Sequence, residues 1–491
     1  MGGTVTLECG VVRCSPVFAR EGPCAGRWDE TDVLDVRAIL LTPVMAAVVA
    51  GALGVSLALA PAAPAHAEPD GVPRPFVGPD PVGGGSSLDT IARLDGVALL
   101  DQLVRLTPSE RSAFLDLHPD AIGDLTAAPP APAAVTTWWS RTSASARAAL
   151  SNDLPGVVGN LEGVPYAVRD IANRSFLAQT ESGIRAQLDA GVGRAMEDEL
   201  QIRLRMLAAI EESLRTGPSG EKRVLVSLDV TGQGRAVIAV GDLNAADYVT
   251  FFVPGMYVGV ADQLVDWTAW ADNSLAVQEA WLDRLGTPGD VATVAWIGYE
   301  TPTVVNIAGL DLAYQGRDAL TGSLQGLDAI RGGSTVLAQG ASADDAARAD
   351  AGPYVSIVAH SYGSTAAMLA LQENDVSVDA LVLVGSPGSP ATSVDDLKVA
   401  GGNVWVAAAD TDPVPRSGVF GSQPLDEAFG AHHFSVKAMT DPVTGEKLED
   451  ISGHVYYFWP GTTSVRNTAL IAIGHGELVS TDTILAKSVA R

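Results

Sequence analysis

One serine in this sequence stands in the context of an activated nucleophile. Residues 354–363 read YVSIVAHSYG, a β-branched apolar run that ends in a turn at Ser361 and passes directly into a stretch of small residues. This pattern predicts a strand, a sharp turn that exposes the Ser361 hydroxyl, and a helix, with Gly363 allowing the turn to close. The usual pattern is G-x-S-x-G, and Ala359 replaces its first glycine. The segment therefore predicts a nucleophile elbow at Ser361.

A serine hydroxyl needs a base to take its proton, so the elbow predicts an acid and then a histidine further along the chain. An apolar segment at residues 403–409 is predicted to form a strand, and it runs into Asp410-Thr411-Asp412-Pro413. Asp412 is the predicted acid, because an Asp-Pro loop at the carboxyl end of a strand presents a carboxylate and Pro413 stiffens it. Asp410 is the alternative.

The base is predicted by position among the seven histidines. Residues 433–438 resemble the last strand of a sheet, and the catalytic histidine loop is expected to follow that strand. His454 lies in this place, 42 residues after Asp412, and the aromatic residues that follow it are suited to packing its imidazole. His454 is therefore the predicted base, and His432 and His433 are the alternatives.

The same chemistry requires N–H donors for the oxyanion, one after the nucleophile and one in the loop after the third strand. Tyr362 supplies the first. A predicted strand at residues 248–253 ends in Pro254-Gly255-Met256, where the glycine lets the backbone turn an N–H towards the nucleophile. Met256 is the predicted second donor.

Around these residues, predicted strands and helices alternate. Residues 223–229 and 235–240 are predicted as strands joined by a glycine-containing turn, and residues 222–491 as an α/β sheet with helices on both faces. The strands are near-continuous apolar runs, as parallel strands buried on both faces require. The fold class predicted is therefore α/β, mostly parallel, preceded by a helical region at residues 88–221.

The first 67 residues differ in kind. Residues 38–60 are an apolar run of 23 residues, and Ala65-His66-Ala67 behind it is an A-x-A cleavage signature. We expect a signal peptide cleaved after Ala67, with an uncleaved membrane anchor as the alternative, and therefore a secreted or envelope-associated protein. The acidic segment 1–36 is unusual for such a leader and suggests a translation start further downstream.

Composition restricts the partners and cofactors. All three cysteines precede residue 67, so the mature chain has no disulfide, and we predict no metal site and no cofactor. Loss of residues 1–67 leaves 27 basic and 52 acidic residues, a net charge of −25. Such a surface disfavours nucleic acid and anionic lipid as partners, and no obligate protein partner is evident.

Residues 68–87 form a Pro- and Gly-rich linker, and the helical region behind it contains a weak repeat with a spacing of 36 residues. Within this region Trp138 and Trp139 are predicted to anchor helix packing, and residues 180–216 to form one amphipathic helix over the catalytic domain. Because its apolar face must be buried, we expect the region to restrict access to Ser361.

Six segments together carry a resemblance to a known family. They are Trp138-Trp139, GNLEGVP at 159–165 with Arg169-Asp170 and Asn173-Arg174, VPGM at 253–256, WIGY at 296–299, HSYGS at 360–364, and GSPG at 385–388. With these segments the chain resembles an actinobacterial family of exported α/β-hydrolases of unassigned function. The resemblance implies an α/β-hydrolase fold behind a helical region and carries the nucleophile role to Ser361, and it supplies no substrate.

The expected activity is hydrolysis by a Ser361-Asp412-His454 triad, with carboxylic esters or other small acyl compounds as substrates. Amide hydrolysis and acyl transfer would use the same residues. A silent binding or envelope module that keeps the fold as a scaffold is the alternative from another class.

Overall fold

The computed structural model describes residues 87–332 and 352–482, and an eight-stranded sheet lies at its centre. Its strands are β1 Arg223–Asp229, β2 Arg235–Val240, β3 Tyr248–Val253, β4 Val291–Ile297, β5 Tyr354–His360, β6 Ala380–Val384, β7 Val404–Ala407 and β8 His432–His433. They lie in the order β1-β2-β4-β3-β5-β6-β7-β8. A separate antiparallel pair consists of β9 Met439–Thr440 and β10 Lys447–Leu448.

Strand direction determines where loops can meet. β1 and β2 form the predicted antiparallel hairpin, β2 is also antiparallel to β4, and all later neighbours in the sheet are parallel. The loops that follow β3, β5 and β7 therefore leave the sheet at the same edge. Ligands of open α/β sheets bind at this carboxyl edge.

Helices cover both faces of the sheet. The helices of the described residues are, in chain order, α1 Leu88–Ile91, α2 Gly96–Arg105, α3 Pro108–Leu117, α4 Pro119–Ala127, α5 Pro132–Arg141, α6 Ala144–Asp153, α7 Pro155–Val158, α8 Tyr166–Ala190, α9 Arg194–Ser213, α10 Val260–Leu285, α11 Asp311–Gly332, α12 Tyr362–Glu373 and α13 Thr463–Ala472. One face packs on α10 and α13 through residues such as Trp267 and Leu470, and the other on α11 and α12 through Leu320 and Met368. Every residue of β4 and β6 is buried, so the predicted α/β fold class is confirmed.

The weak sequence repeat corresponds to a repeated helix-turn unit. In the first copy His118 links α3 to α4, and in the second Leu154 links α6 to α7. The two linking residues have nearly the same backbone angles, φ −132° and ψ 54° against φ −131° and ψ 53°, and a proline begins the next helix in both copies. Trp138 and Trp139 are both buried between these units, as expected of packing anchors.

The helical region is attached to the sheet along the outer edge of β1. The side-chain amide of Asn160 donates to the Leu228 carbonyl and accepts from the Leu228 N–H, both at 2.8 Å. It also accepts from the Ser227 hydroxyl at 2.7 Å. Asn160 therefore pairs with β1 as a further strand would, beyond a β-bulge between Leu225 and Ser227.

Three side chains of α8 continue this pairing. Asp170 accepts from the Leu225 N–H at 2.8 Å, and the Asn173 amide donates to the Leu225 carbonyl at 3.0 Å. Arg174 donates to the Arg223 carbonyl at 2.9 Å. Together with Asn160 these side chains, which we call the edge clasp, satisfy the backbone groups that an edge strand would otherwise expose. The segment of the family resemblance that includes residues 159–165, 169–170 and 173–174 thus has a structural explanation.

The prediction of one helix at residues 180–216 is wrong. The chain forms α8 and α9 instead, and the break lies between Ala190 and Arg194. Gly191 there has φ +82°, a left-handed conformation that glycine adopts without steric cost and that ends a helix. α9 then packs its apolar side against α10, with Met206 and Ile210 buried in the shared core.

The prediction of a last strand at residues 433–438 is also wrong. β8 contains only His432 and His433, which pair with Trp405 and Val406 of β7. The chain then leaves the sheet, because the Ser435 N–H donates to the Ser480 carbonyl at 2.8 Å. The strand at 403–409 is likewise shorter, since β7 ends at Ala407.

The predicted leader, the apolar segment 38–60 and the linker up to residue 86 lie outside the described residues. Among the helices of residues 87–332 and 352–482, none is both long and apolar enough to cross a membrane.

Candidate active site

Ser361 lies at a strained turn between β5 and α12, as the elbow predicts. It has φ 53° and ψ −131°, a conformation that non-glycine residues seldom adopt. Its N–H donates to the Val384 carbonyl at 3.0 Å, which ties the turn to β6. A Cβ atom at Gly363 would lie 2.2 Å from the Pro254 carbonyl oxygen, so only glycine allows α12 to start this close to the loop after β3. Ala359 is fully buried within β5, where its methyl group is accommodated.

The structure brings together the three residues predicted as nucleophile, base and acid. Ser361 Oγ lies 2.7 Å from His454 Nε2, and His454 Nδ1 lies 2.9 Å from Asp412 Oδ2. All three side chains are buried. The fold thus brings the imidazole of His454 into contact with a hydroxyl 93 residues and a carboxylate 42 residues before it in the chain. This arrangement can transfer the hydroxyl proton to the imidazole when the oxygen attacks an electrophile.

Asp412 lies in the loop after β7 and accepts hydrogen bonds from several donors. Besides His454, the Tyr457 hydroxyl donates to Asp412 Oδ2 at 2.7 Å and the Val414 N–H donates to Oδ1 at 3.0 Å. Burial alone would raise the pKa of this carboxyl, but the hydrogen bonds from His454, Tyr457 and Val414 outweigh burial and lower the pKa below its ordinary value. Asp412 is therefore a carboxylate at neutral pH.

The alternative residues lie elsewhere. Asp410 is exposed and forms an ion pair with Lys437 at 3.3 Å. His432 and His433 are exposed in β8, where the His432 ring packs against Trp405 with ring centroids 4.8 Å apart. Within the described part of the chain, Asp410, His432 and His433 form no hydrogen bond with Ser361.

The predicted oxyanion donors flank the nucleophile. A Cβ atom at Gly255 would lie 2.5 Å from Ser361 Cβ, so the turn after β3 is in contact with the elbow and Met256 follows at once. Tyr362 is the first residue of α12, where helix N–H groups have no partner within the helix. Within the described residues, neither the Met256 nor the Tyr362 N–H donates to another protein group.

Two tyrosine residues bind the loop at residues 301–310 to the segments around the elbow. The Tyr257 N–H donates to the Pro302 carbonyl at 3.0 Å, and the Tyr257 hydroxyl accepts from the Val304 N–H at 3.2 Å. The Tyr362 hydroxyl donates to the Gly309 carbonyl at 2.7 Å. The loop at residues 301–310 is therefore attached to both segments that carry the predicted oxyanion donors.

Three residues that contact the triad were not predicted as part of the site. Tyr457, expected only to pack against the imidazole, donates to Asp412. Gly385 has φ +62°, and a Cβ atom there would lie 3.0 Å from His454 Cε1 and 3.1 Å from Asp412 Oδ2. His360 Nε2 lies 2.6 Å from the His454 carbonyl oxygen. The motif Gly385-Ser386-Pro387-Gly388 could have indicated Gly385 from the sequence. The contacts of Tyr457 and His360 depend on tertiary structure and have no such signal.

A model of the family described as alpha/beta hydrolase matches residues 229–421 of this chain. The match includes β2 to β7, the elbow and Asp412. The protein has the α/β-hydrolase fold. Hydrolysis is the class of reaction that this fold and family match support, and the match ends before His454.

Two uncharacterized proteins of Mycobacterium tuberculosis are similar to this chain. They are MT2140 of strain CDC 1551 / Oshkosh and Rv2079 of strain ATCC 25618 / H37Rv, each 25% identical over 413 residues that cover 72% of this chain and 57% of the relative. The chain thus spans little more than half the length of these relatives. The predicted resemblance to an actinobacterial family of α/β-hydrolases without an assigned function is confirmed.

A comparison with solved structures finds esterases at low similarity. The esterase LipW from Mycobacterium marinum is 13% identical, with 56% of this chain and 87% of that chain covered and a TM-score of 0.29. An arylesterase is 11% identical, with 61% and 98% covered and a TM-score of 0.30. A thermostable esterase from Pseudomonas putida ECU1011 is 12% identical, with 61% and 96% covered and a TM-score of 0.29.

Proposed function

We propose that the protein is a serine hydrolase of carboxylic esters. The observation that carries this proposal is the unbroken hydrogen-bonded series from Ser361 Oγ through His454 to Asp412. A base activates a serine hydroxyl only when it lies within hydrogen-bond distance and is itself held by a third group. The series supplies both conditions without rearrangement.

The proposed reaction runs through an acyl-enzyme. Ser361 Oγ attacks the ester carbonyl carbon while its proton passes to His454 Nε2, and Asp412 stabilises the resulting imidazolium. The N–H groups of Met256 and Tyr362 hold the oxyanion. His454 then gives the proton to the leaving alcohol as the C–O bond breaks. His454 then takes a proton from water, which attacks the acyl carbon. The bond from this carbon to Ser361 Oγ breaks as His454 returns the proton to Oγ, and the acid is released.

The composition of the loop at residues 301–310 favours an uncharged substrate. Its sequence, TPTVVNIAGL, contains no charged residue in a chain that has 58 acidic and 31 basic ones. Val305 in this loop is 91% exposed. Apolar atoms close to the elbow favour contact with the carbon chain of an ester over contact with an ionic group.

Labelling by a fluorophosphonate probe tests whether the serine is activated. We expect the protein to be labelled and to hydrolyse p-nitrophenyl esters, and Ser361→Ala to lose both properties while it unfolds at an unchanged temperature. Ser364→Ala is the matched control, because Ser364 is a buried serine in the first turn of α12 whose hydroxyl bonds to Ser386 and to the Ser361 carbonyl. Labelling that persists in Ser361→Ala would refute the assignment of the nucleophile.

The base is tested separately. His454→Ala should reduce kcat by a factor on the order of 10⁴ or more, since triad members act as a unit. His432→Ala and His433→Ala should retain full activity, because both side chains are exposed. A large loss in either of these variants, with activity kept in His454→Ala, would reassign the base.

The choice among acyl substrates requires paired compounds. We expect an ester to be cleaved faster than the amide with the same acyl group, because a neutral alcohol leaves more readily than an amine. Faster amide cleavage would indicate an amidase, and transfer of the acyl group to an added alcohol in preference to water an acyltransferase. A folded protein without labelling would indicate a silent scaffold.

We propose further that the protein is exported, through the apolar segment 38–60 and cleavage after Ala67. N-terminal sequencing of the protein recovered from the culture medium tests this. A mature chain that begins at Glu68 is expected. A chain that retains residues 38–60 and sediments with membranes would indicate an anchor.

A further inference from the structure

His360 is a buried histidine to which the proposed reaction assigns no step. It is the last residue of β5, directly before Ser361, and it is 8% exposed. Its ring packs against three aromatic rings of the loop after β10. The centroid of the His360 ring lies 4.7 Å from that of His454, 5.7 Å from that of Tyr457 and 6.1 Å from that of Phe458. A histidine in this place has little room to serve as an acid or base for a substrate.

One hydrogen bond determines the protonation of this ring. His360 Nε2 lies 2.6 Å from the backbone carbonyl oxygen of His454. A carbonyl oxygen only accepts, so His360 Nε2 carries the proton and donates it. Burial, together with the neighbouring His454, lowers the pKa of His360 to about 3. The ring is therefore neutral at physiological pH and keeps this single N–H.

The loop that carries His454 needs such an anchor. Between β10 and α13 the chain contains no helix and no strand, and Gly453 has φ +76°. The Gly453 N–H donates to the Thr411 hydroxyl at 2.7 Å on one side of His454. On the other, the His454 carbonyl is held by His360. The imidazole and the backbone of the base are thus both bound to the elbow, through consecutive residues.

We propose that His360 is a positioning residue, whose imidazole N–H holds the His454 carbonyl and thereby sets the distance between His454 Nε2 and Ser361 Oγ. The inference rests on the proposed function, since it assumes that this distance matters for catalysis. Because β5 is a central strand of the sheet, the elbow is the rigid reference, and His360 transfers its position to an irregular loop. A misplacement of about 1 Å between reacting groups costs about 10²-fold in rate.

Side-chain reach provides the test. Glutamine places an amide N–H as many bonds from the backbone as His360 Nε2, asparagine places it one bond short, and leucine has no donor. We expect His360→Gln to keep kcat within about 10-fold, and His360→Asn and His360→Leu to lose about 10²-fold in kcat with KM nearly unchanged. Each value is measured on the full chain with a p-nitrophenyl ester.

Thermal unfolding separates positioning from general loss of structure. If His360→Leu fails to fold, the comparison of His360→Gln with His360→Asn decides, because both retain a polar amide. Equal kcat in these two variants, or wild-type kcat in His360→Leu, overturns the proposal. Fluorophosphonate labelling of the unchanged protein shows independently whether the proposed function holds. A protein that labels but is indifferent to substitution at residue 360 refutes the inference alone.

Discussion

Tyr457 controls the carboxylate of the proposed triad. Its hydroxyl donates to Asp412 Oδ2 and accepts from the Ala409 N–H at 3.0 Å, and the ring is fully buried. Burial and the adjacent carboxylate both raise the pKa of this phenol, which therefore remains a donor. Asp412 thus keeps its charge through three donors from two loops.

We expect Tyr457→Phe to lower stability by about 1–2 kcal/mol, because the Ala409 N–H and one oxygen of Asp412 lose a partner in a buried place. The pKa of Asp412 should rise, and kcat should fall by up to about tenfold. Tyr456→Phe is the control, since the Tyr456 ring packs against Trp459. Urea unfolding and ester hydrolysis measure the two effects, and identical results for both variants would contradict the role of the Tyr457 hydroxyl.

His360 also makes stability depend on pH. Its pKa is about 3 in the folded protein against an ordinary value of 6.5, because burial and the neighbouring His454 disfavour the charged ring. Asp412 and Tyr457 are the other titratable groups near it. The unfolded chain therefore binds a proton below pH 6.5 that the folded protein does not, and acid favours unfolding.

We expect the free energy of unfolding to fall by about 1.4 kcal/mol for each pH unit between pH 6.5 and about 3 on account of this group alone. His360→Gln has no titrating side chain at this position, so its stability should fall less steeply between pH 6.5 and 5. Urea unfolding at several pH values compares the slopes. Parallel slopes for the two proteins would show that His360 titrates normally in the fold.

At the scale of elements, the edge clasp makes the helical region part of the sheet. Asn160, Asp170, Asn173 and Arg174 occupy the hydrogen-bonding groups of β1 that face away from β2. β1 is separated from β5 by β2, β4 and β3 in the sheet. These bonds therefore attach the region at a distance from Ser361, and its predicted role in restricting access stays a prediction.

Asn160→Ala should destabilise the protein by about 1–3 kcal/mol, because the N–H and carbonyl of Leu228 both lose their partner. Asn152→Ala, at an exposed position of α6, is the matched control and should change stability little. Activity per folded molecule should be the same in both. An unchanged midpoint of unfolding for Asn160→Ala would show that water replaces the clasp at no cost.

A chain trimmed to begin near residue 218 separates the two roles of the helical region. Loss of the clasp exposes the edge of β1, and we expect such a chain to aggregate or fail to fold. If it folds and accepts bulkier esters than the full chain, the region acts as a lid. If it folds with the same chain-length preference, the region neither covers the site nor supports the sheet.

At the scale of the whole molecule, the chain is strongly acidic, whereas a loop beside the candidate site carries no charge. The net charge is −27, whereas the loop at 301–310 beside the elbow is uncharged. A negative surface attracts cations over a distance that salt shortens, to about 8 Å at physiological ionic strength. We therefore expect the field to affect how fast charged esters arrive more than how they react.

The ratio of kcat/KM for a cationic ester to that for an anionic ester should accordingly exceed one at low salt and decrease as salt is added. A neutral ester of the same size is the control and should respond little. A ratio that is independent of salt would show that the acidic groups lie too far from the site to act on it.

Sequence by itself determined the class of fold and predicted the order of the candidate site residues. A strand, a sharp turn and a helix around Ser361 are local in the chain, so steric preferences of neighbouring residues reveal them. Apolar runs likewise reveal buried strands, since each must be covered on both faces. Asp412 was preferred to Asp410 because an Asp-Pro loop follows a predicted strand. The preference for His454 over His432 and His433 rested on a last strand at residues 433–438, of which the fold forms only the first residue.

Only the tertiary structure decided which groups touch. The bond of His360 to the His454 carbonyl, that of Tyr457 to Asp412, and the pairing of Asn160 with Leu228 join residues 94, 45 and 68 positions apart. No local pattern encodes such contacts, because they depend on how loops outside regular elements settle against the sheet. The break at Gly191 and the departure of the chain after His433 were missed for a related reason. Both follow from packing and pairing that outweigh the periodicity of the segment itself.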